Sequence, residues 1–478
     1  MVIKRRNFLQ GIVGSFAGLV SSALAQHHPD EHIPQKEANS QAAAKPKHIG
    51  ESVSVETPDI PKLPYTLENG VKVFHLVAEP VKQEFLPGKV FDVWGYNGSM
   101  PGPTIEVIQG DRVRIIFHNQ LPEATTVHWH GLEVPISMDG VPAISQPLVE
   151  PGQMFTYEFT LHQHGTFFYH SHMAMQEMLG MIGLFIIHPI ELYQPRVDKD
   201  FGLILQEWAI LPNNTIPNTL SMEFNWLTIN GKAGPATTPL IVKLNERVRI
   251  RMVNLGMDHH PMHLHGYQFY VTGTEGGRIP EAAWYPENTV LVGVAQARVI
   301  EFEAKYPGDW MLHCHLPHHM MNQMVSMVGP ITHQPSGLDT GMGMEEGMGI
   351  IQKGHALSEE LGPGLGRGMG MTTREKPLSN LVGQKELEQH QHHDIPLMKA
   401  KQRVPGFPQD MWMPMDEVVA KPENYGMAQG WSGAIQGMMT VVRVLPPEMY
   451  EKIMNQTFFS KRKVWSKETN RKFLNMSC

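Results

Sequence analysis

Short runs of alternating apolar and polar residues, separated by turns, recur from about residue 65 to about residue 335. Residues 112–117 (RVRIIF) and 154–159 (MFTYEF) show the pattern early, and residues 298–302 (RVIEF) show it again later. A period of two places the apolar side chains on one face of a β-strand. Glycine and proline turns are frequent, and no long amphipathic helical pattern is present. The sequence therefore predicts an all-β protein built as a sandwich or barrel.

The same order of motifs occurs twice, which predicts two related β-domains. Residues 110–115 (GDRVRI) have a counterpart at residues 245–250 (NERVRI). Each is followed by a His-x-His pair, then by a Pro-Gly turn and a second His-x-His pair. An internal repeat of this kind indicates two copies of one structural unit. We place the first domain at residues 65–190 and the second at residues 191–335.

The first 25 residues predict export. Residues 4–9 (KRRNFL) form a twin-arginine pattern, and residues 23–25 (ALA) form a small-x-small cleavage site after an apolar run. The run is short and rich in glycine and serine, whereas a membrane span needs about 20 strongly apolar residues. We expect residues 1–25 to be a twin-arginine signal peptide that directs the protein to the periplasm or another exported location in a bacterium. Residues 26–64 are rich in His, Pro, Ala and Lys and predict a flexible spacer.

The composition changes again after residue 335. Residues 336–403 are rich in Gly, Met and His, which predicts an irregular arm. Aromatic and apolar residues return from residue 404 onward, including Trp431 and residues 441–444 (VVRV). We expect residues 404–478 to be a C-terminal extension that packs on the body and ends in a basic, frayed segment.

Net charge and histidine and methionine content narrow the possible functions. The 478-residue chain has a net charge of −8, which argues against a nucleic-acid partner. It contains 26 His and 32 Met, many of them clustered, and only two cysteines. A disulfide is not expected, because Cys314 lies between two histidines and Cys478 is the last residue. Clustered imidazoles and thioethers predict a metal site.

Four His-x-His pairs are the strongest chemical signal in the sequence. On a β-strand, residues i and i+2 point to the same face, so each pair presents two imidazoles in one direction. A lone histidine in a strand is more often a hydrogen-bonded bystander than a ligand, but four pairs at matching positions of a repeat indicate ligands. If the repeats face one another, eight imidazoles converge, which suits a cluster of three copper ions. The pairs are His128 and His130, His170 and His172, His263 and His265, and His313 and His315.

The side chain of Cys314 must point away from its two flanking histidines, to the opposite face of the strand. There it can meet His260 and His319, with Met324 as an axial ligand. Two imidazoles, one thiolate and a weak axial thioether form the ligand set of a blue-copper electron-transfer site and differ from a structural zinc site. The backbone next to Cys314 predicts a short route for electrons to the three-copper cluster. Four copper ions per chain can hold the four electrons that reduce O2 to water.

Reduction of O2 also needs protons, and Asp139 is the carboxylate that we nominate to relay them. It lies nine residues after His130 and is followed by a glycine. The alternative is that Asp139 only forms an Asp-Gly turn.

Taken together, these motifs resemble the multicopper oxidase family, and more narrowly its two-domain, small laccase-like branch. The resemblance covers about residues 95–330 and rests on residues 128–131 (HWHG), 169–172 (YHSH), 260–266 (HPMHLHG) and 313–324 (HCHLPHHMMNQM). It implies two cupredoxin-like Greek-key sandwich or barrel domains, followed here by the irregular C-terminal extension.

The resemblance also implies the copper assignments and the assembly. Only the second domain would hold type 1 copper, because Ser171 occupies the position of a blue-copper cysteine in the first. The first and last motifs lie too close in sequence for a third domain between them. In this branch the three-copper cluster lies between domain 1 of one subunit and domain 2 of the next, which implies a homotrimer. The implied ligands are His128 and His263 for type 2, His130, His170, His172, His265, His313 and His315 for type 3, and His260, Cys314, His319 and Met324 for type 1.

Two features depart from the family pattern. Met320 directly follows His319, where some relatives carry a carboxylate, so no second proton-relay acid is indicated there. The tail after residue 335 is longer than small laccases usually have. If that tail covers the blue site, large phenols are excluded.

The sequence motifs leave more than one class of electron donor possible. A laccase-like oxidase would take phenols or other organic donors. A metal-ion oxidase serving copper tolerance would take Cu(I), for which the thioethers of Met320, Met321 and Met327 are soft ligands. A copper nitrite reductase lacks the type 3 pair and would not need all four His-x-His pairs. A non-catalytic copper-storage or electron-carrier protein leaves the eight paired histidines unexplained. The predicted partners are therefore O2 and a small reducing substrate or Cu(I).

Overall fold

The structure is a computed structural model that describes residues 52–211, 214–322 and 414–455. The predicted signal peptide, the arm at residues 336–403, Met324 and Met327 lie outside the described residues. Within them, no helix is both long and apolar enough to cross a membrane.

Nine strands form two sheets in the first domain. One sheet has the order β1-β2-β5-β7, with β3 paired to β2, and the other has the order β4-β9-β8-β6. Alternate residues of β5 are buried, and the rings of Trp129 and Tyr157, one from each sheet, meet in the core with centroids 5.1 Å apart. The strands β1 to β9 are Tyr65–Glu68, Val71–Leu86, Lys89–Tyr96, Gly102–Ile108, Arg112–Asn119, Val127–His130, Met154–Thr160, Gly165–Ser171 and Ile182–His188.

The second domain repeats this arrangement with twelve described strands. One sheet has the order β11-β10-β13-β19-β15-β16, with β17 paired to β15, and the other has the order β12-β21-β20-β14-β18. Side chains from both sheets, such as Leu205 and Val442, share one core. The strands β10 to β21 are Lys199–Trp208, Trp226–Ile229, Leu240–Lys243, Arg247–Asn254, His260–Leu264, Phe269–Thr274, Gly277–Arg278, Tyr285–Glu287, Thr289–Val292, Gln296–Glu303, Gly308–Cys314 and Met439–Leu445.

Helical structure in the described residues is limited to short segments. One of these segments comprises residues 447–455. The α-helices α1 and α2 are Ala174–Glu177 and Asp416–Val419, and the 3-10 helices are Ile136–Met138, Glu281–Ala283, Pro317–Met320, Pro422–Asn424 and Trp431–Ala434. The prediction of an all-β protein with two cupredoxin-like domains is confirmed.

The two domains share an apolar interface. Phe168 and Leu184 of the first domain pack with Ile204 and Val253 of the second in one buried cluster. Beside it, the buried guanidinium of Arg251 donates a hydrogen bond to Thr166 of the first domain at 2.7 Å. Apolar packing and this hydrogen bond therefore join the domains directly.

The C-terminal segment supplies a strand to the second domain. Strand β21 pairs in parallel with β12 and antiparallel with β20, the strand that ends at Cys314. Its residue Val442 is fully buried in the domain core, and Arg443 donates to Asp309 at 2.7 Å. The sequence predicts that this stretch packs on the body, and in the structure β21 forms part of a sheet beside the thiol.

We expect Val442→Asp to destabilise the second domain strongly. An uncompensated carboxylate at this fully buried position should lower the free energy of unfolding by on the order of 3 kcal/mol. Val418→Asp is the matched control, because the side chain of Val418 is 64% exposed. Thermal unfolding of both variants measures the difference. Equal unfolding temperatures would contradict the placement of β21 in the core.

Candidate metal centres

The two His-x-His pairs of the first domain lie side by side on adjacent strands. Strands β6 and β8 pair antiparallel with His128 opposite His170. Because Trp129 points into the core between His128 and His130, both imidazoles point outward. The Nδ1 of His130 and the Nε2 of His170 are 3.3 Å apart, and the ring centroids of His128 and His172 are 5.4 Å apart. These four histidines form the domain 1 quartet.

Backbone carbonyls fix the orientation of two rings in this quartet. The Nδ1 of His128 donates to the carbonyl oxygen of Asp139 at 2.7 Å. The Nδ1 of His170 donates to the carbonyl oxygen of Ser171 at 2.8 Å and lies 3.2 Å from a carboxylate oxygen of Glu177. A hydrogen bond at Nδ1 leaves the lone pair on Nε2, where a metal ion can bind.

The second domain builds a matching set on β14 and β20. His263 lies opposite His313 in the antiparallel register, and the Nε2 atoms of His265 and His313 are 3.0 Å apart. The Nδ1 of His263 donates to the carbonyl oxygen of Asn288 at 2.7 Å. The ring centroids of His263 and His315 are 5.5 Å apart. These four histidines form the domain 2 quartet.

Burial keeps several of these imidazoles neutral. It lowers the pKa of His130 to about 4, and it also lowers the pKa values of His128, His265 and His313. Neighbouring imidazoles lower the pKa of His130 further. Neutral imidazoles with free lone pairs are the form that binds transition metals.

The two quartets do not meet within one chain. In the part of the chain that the structure describes, ring contacts join histidines inside each quartet and none joins one quartet to the other. His172 of one quartet and His315 of the other are exposed. Each domain therefore carries its own set of four imidazoles, and within the described residues no ring of one set contacts a ring of the other.

The thiol and two further imidazoles meet on the inner side of the same strands. His260 begins β14 and Cys314 ends β20, where it lies opposite Met262 in the core. The Sγ of Cys314 is 3.4 Å from the Nδ1 of His319 and 3.8 Å from the Nδ1 of His260. All three residues are buried, and their ligand atoms lie within 4.8 Å of one another. We call these three residues the thiolate triad.

The electrostatics of the triad suit a metal ion. Burial raises the pKa of the Cys314 thiol to about 12 and lowers the pKa of His319 to about 3. In these surroundings a bound cation is needed to hold the thiolate form. One thiolate and two imidazoles match the equatorial ligands of a blue-copper site. The predicted axial ligand, Met324, lies outside the described residues.

Backbone from the C-terminal segment covers the triad. The amide of Cys314 donates to the carbonyl oxygen of Met438 at 3.0 Å, and the amide of Met438 donates to the carbonyl oxygen of His319 at 2.9 Å. Gly437 has a φ of 60°, and a Cβ there would overlap the carbonyl oxygen of His319. Neither triad imidazole has an exposed edge, since His260 and His319 are 0% exposed.

Asp139 lies beside the domain 1 quartet. Its Oδ1 is 3.5 Å from the Nδ1 of His128, and its side chain is 30% exposed. It lines an open cleft together with Glu133, Arg112 and His162. The carboxylate thus lies between a quartet imidazole and solvent, and the backbone of Asp139 ends the 3-10 helix Ile136–Met138.

Three acidic residues lie near the imidazoles, and no sequence motif identifies them as site residues. Glu207 contacts His260 at 3.0 Å, Glu177 contacts His170, and Asp258 lies 3.5 Å from the Nε2 of His319. None belongs to a spaced motif, and Glu207 is far from its partner along the chain. Only the fold brings them to the imidazoles.

Comparison with known proteins assigns the family. Sequence profiles described as multicopper oxidase match residues 78–191 and 210–330, which contain every predicted copper ligand. The blue copper oxidase from Nitrosomonas europaea, a solved structure, is 30% identical over 52% of this chain and 81% of that chain, with a TM-score of 0.49. The chain belongs to the multicopper oxidase family. The family implies copper as the cofactor, in agreement with the donor set of the triad.

Curated relatives of this multicopper oxidase match over shorter shares of their length. Copper resistance protein A from Pseudomonas syringae pv. tomato is 39% identical over 113 residues, which are 24% of this chain and 19% of the relative. Laccase-1 from Cryptococcus neoformans var. neoformans is 29% identical over 290 residues, covering 52% of this chain and 44% of the relative. The chain therefore spans less than half the length of these relatives.

Proposed function

We propose that this multicopper oxidase takes electrons one at a time from a reducing donor and uses four of them to reduce O2 to water. Bound copper would supply the one-electron redox chemistry and the binding of O2. The observation that carries the proposal is the placement of Cys314, whose thiol belongs to the buried triad while its neighbours His313 and His315 belong to the domain 2 quartet.

The chain's own residues would hold four copper ions. The thiolate triad would hold type 1 copper, with Met324, which lies outside the described residues, as the predicted fourth ligand. The two quartets would together hold the three-copper cluster, in which His128 and His263 bind type 2 copper. The type 3 pair would be held by His130, His170, His172, His265, His313 and His315.

Two routes connect the triad with the quartet next to it. The first is the covalent backbone from Cys314 to each flanking histidine. The second is a hydrogen bond, because the Nδ1 of His313 donates to the carbonyl oxygen of Cys314 at 2.8 Å. Both routes are short and lie within the described residues, and they would carry electrons to the cluster.

The separation of the quartets supports a shared site between subunits. A single chain offers two separate sets of four imidazoles, each with one exposed member, His172 or His315. Domain 1 of one subunit facing domain 2 of the next would complete the set of eight, and three such contacts would close a homotrimer. A nitrite reductase would have no use for both complete quartets.

A small donor, Cu(I), is favoured over large phenols. The triad imidazoles have no exposed edge, so a bulky phenol could not touch them. Met311, Met320 and Met427 pack against a buried apolar cluster that contains Met439 and lies beside the triad, and thioethers are soft ligands for Cu(I). Phenolic and other organic donors are the second candidate. The twin-arginine pattern supports export to the periplasm, where copper tolerance would require such an activity.

Oxygen consumption by the copper-loaded protein tests the proposal. We expect about four copper ions per chain, a thiolate-to-copper absorption band, and one O2 consumed for every four donor electrons. Turnover of Cu(I) should exceed that of a phenol, and Met311→Leu with Met320→Leu should slow Cu(I) oxidation only. A protein that holds copper but consumes no O2 with any reductant would contradict the oxidase function. A phenol turned over faster than Cu(I) would contradict the donor assignment alone.

We expect Asp139→Asn to slow the reaction with O2 by about 100-fold, because an amide cannot relay a proton. Reduction of the type 1 copper by the donor should be unchanged. Stopped-flow reoxidation of the fully reduced protein separates the two steps. Glu133→Gln, in the same cleft, is the matched control and should reoxidise normally. If Asp139→Asn reoxidises as fast as the control, Asp139 has only its turn-forming role.

A further inference from the structure

A carboxylate occupies a core-facing position next to the thiolate triad. Leu203, Leu205 and Glu207 alternate along β10, and both leucines belong to the apolar core of the second domain. The side chain of Glu207 is 0% exposed. Burying a carboxylate in an apolar core is strongly unfavourable unless hydrogen bonds offset the loss of hydration.

Three N–H donors surround this carboxylate. The Nε2 of His260 is 3.0 Å from Oε2, while Oε1 accepts from the amide of Asp258 at 2.9 Å and from the amide of Met257. Gly256 completes the cradle, because a Cβ at that position would overlap the carboxylate. The contact with His260 is the only one of the three that reaches a triad residue.

The geometry fixes the role of each nitrogen of His260. Its Nδ1 faces the Sγ of Cys314, and its Nε2 faces the carboxylate, so the Nε2 carries the proton and the Nδ1 lone pair is left for the metal. A carboxylate that accepts from the far side of a ligand imidazole orients the ring and makes it a stronger donor. A negative charge at this distance in a buried site also favours Cu(II) over Cu(I).

We propose that Glu207 is a positioning residue that orients His260 and lowers the reduction potential of the type 1 copper. This inference rests on the proposed function, since it assigns type 1 copper to the triad. It adds a residue outside the ligand set that adjusts how readily the site gives electrons to the cluster.

Redox titration of the blue absorption in the copper-loaded full chain tests the inference. Glu207→Gln keeps the size of the side chain and removes its charge. We expect the Cu(II)/Cu(I) equilibrium to shift about tenfold toward Cu(I), which for a one-electron couple is about 59 mV. Glu303→Gln, at a half-exposed position of the same domain, is the control and should leave the potential unchanged. Glu207→Asp keeps the charge and should shift the potential less than Glu207→Gln.

The outcomes separate the inference from the function on which it rests. A normal blue band with an unmoved potential in Glu207→Gln overturns the role of Glu207 and leaves the oxidase function standing. An unmodified protein without a blue band overturns the function itself. If Glu207→Gln does not retain copper, the Nε2 proton of His260 is followed by NMR in the reduced, unmodified protein after transfer to D2O. Slow exchange supports the buried hydrogen bond, and exchange as fast as that of an exposed imidazole overturns it.

Discussion

Cys314→Ser should abolish the blue absorption and reduce donor oxidation to background, while the protein keeps part of its copper. The hydroxyl of serine is a poor ligand for copper in a buried site, whereas the thiolate is the soft ligand that defines this one. The flanking histidines remain in place, so the copper bound by the quartets should persist. Absorption spectra, copper analysis and turnover of Cu(I) measure the three effects.

Cys478→Ser is the matched control for the loss of a thiol. It should keep the blue band and full turnover, because Cys478 belongs to no predicted site. A blue Cys314→Ser protein would contradict the triad as the type 1 site. A Cys314→Ser protein that loses all of its copper would show instead that the triad and the quartets do not bind copper independently.

Two inactive variants should restore activity to each other when they are co-expressed. His128→Ala removes a ligand from the domain 1 quartet, and His263→Ala removes one from the domain 2 quartet. In the proposed trimer, a contact between subunits is intact only when one subunit supplies an unmodified domain 1 quartet and the other an unmodified domain 2 quartet. Random assembly of the two variants gives this combination for about a quarter of the contacts. We therefore expect about a quarter of the normal O2 consumption per chain, against background for either variant alone.

The control for this experiment is co-expression of His128→Ala with His170→Ala. Both substitutions lie in the domain 1 quartet, so no contact in any mixed assembly is intact and activity should stay at background. Restored activity in this control would indicate that the single variants are not truly inactive. Failure of the first pair to restore activity, with trimers formed, would contradict a cluster shared between subunits.

The local alternation of apolar and polar residues is sufficient to predict the strands and the direction in which the histidine side chains point. In β6, Trp129 is buried between two outward-pointing imidazoles, as a period of two requires. At the end of β20, Cys314 lies in the core, whereas His315, the next residue along the chain, is exposed. These features depend on neighbouring residues alone, and a single sequence contains them.

Contacts between distant segments could not be predicted in the same way. Glu207 lies near the end of β10, next to Gln206, and nothing near it in the sequence indicates that its partner is His260. The pairing of β21 beside β20 depends on sheet order, which residues 441–444 do not encode by themselves. The sequence therefore predicts apolar residues in this stretch, but it does not predict the position of β21 in the sheet. The two quartets are separate within one chain because of the way in which the two domains pack. The sequence repeat alone does not determine that packing.

The backbone cover over the triad has a consequence for the order of biosynthesis. Met438 closes the pocket of Cys314 and His319, yet the ribosome makes it long after both residues have left the exit tunnel. A nascent chain therefore carries an unshielded thiol, open to oxidants and to competing metals, until β21 is added. Stable capture of copper at this position must follow the synthesis of Met438 and its docking beside β20.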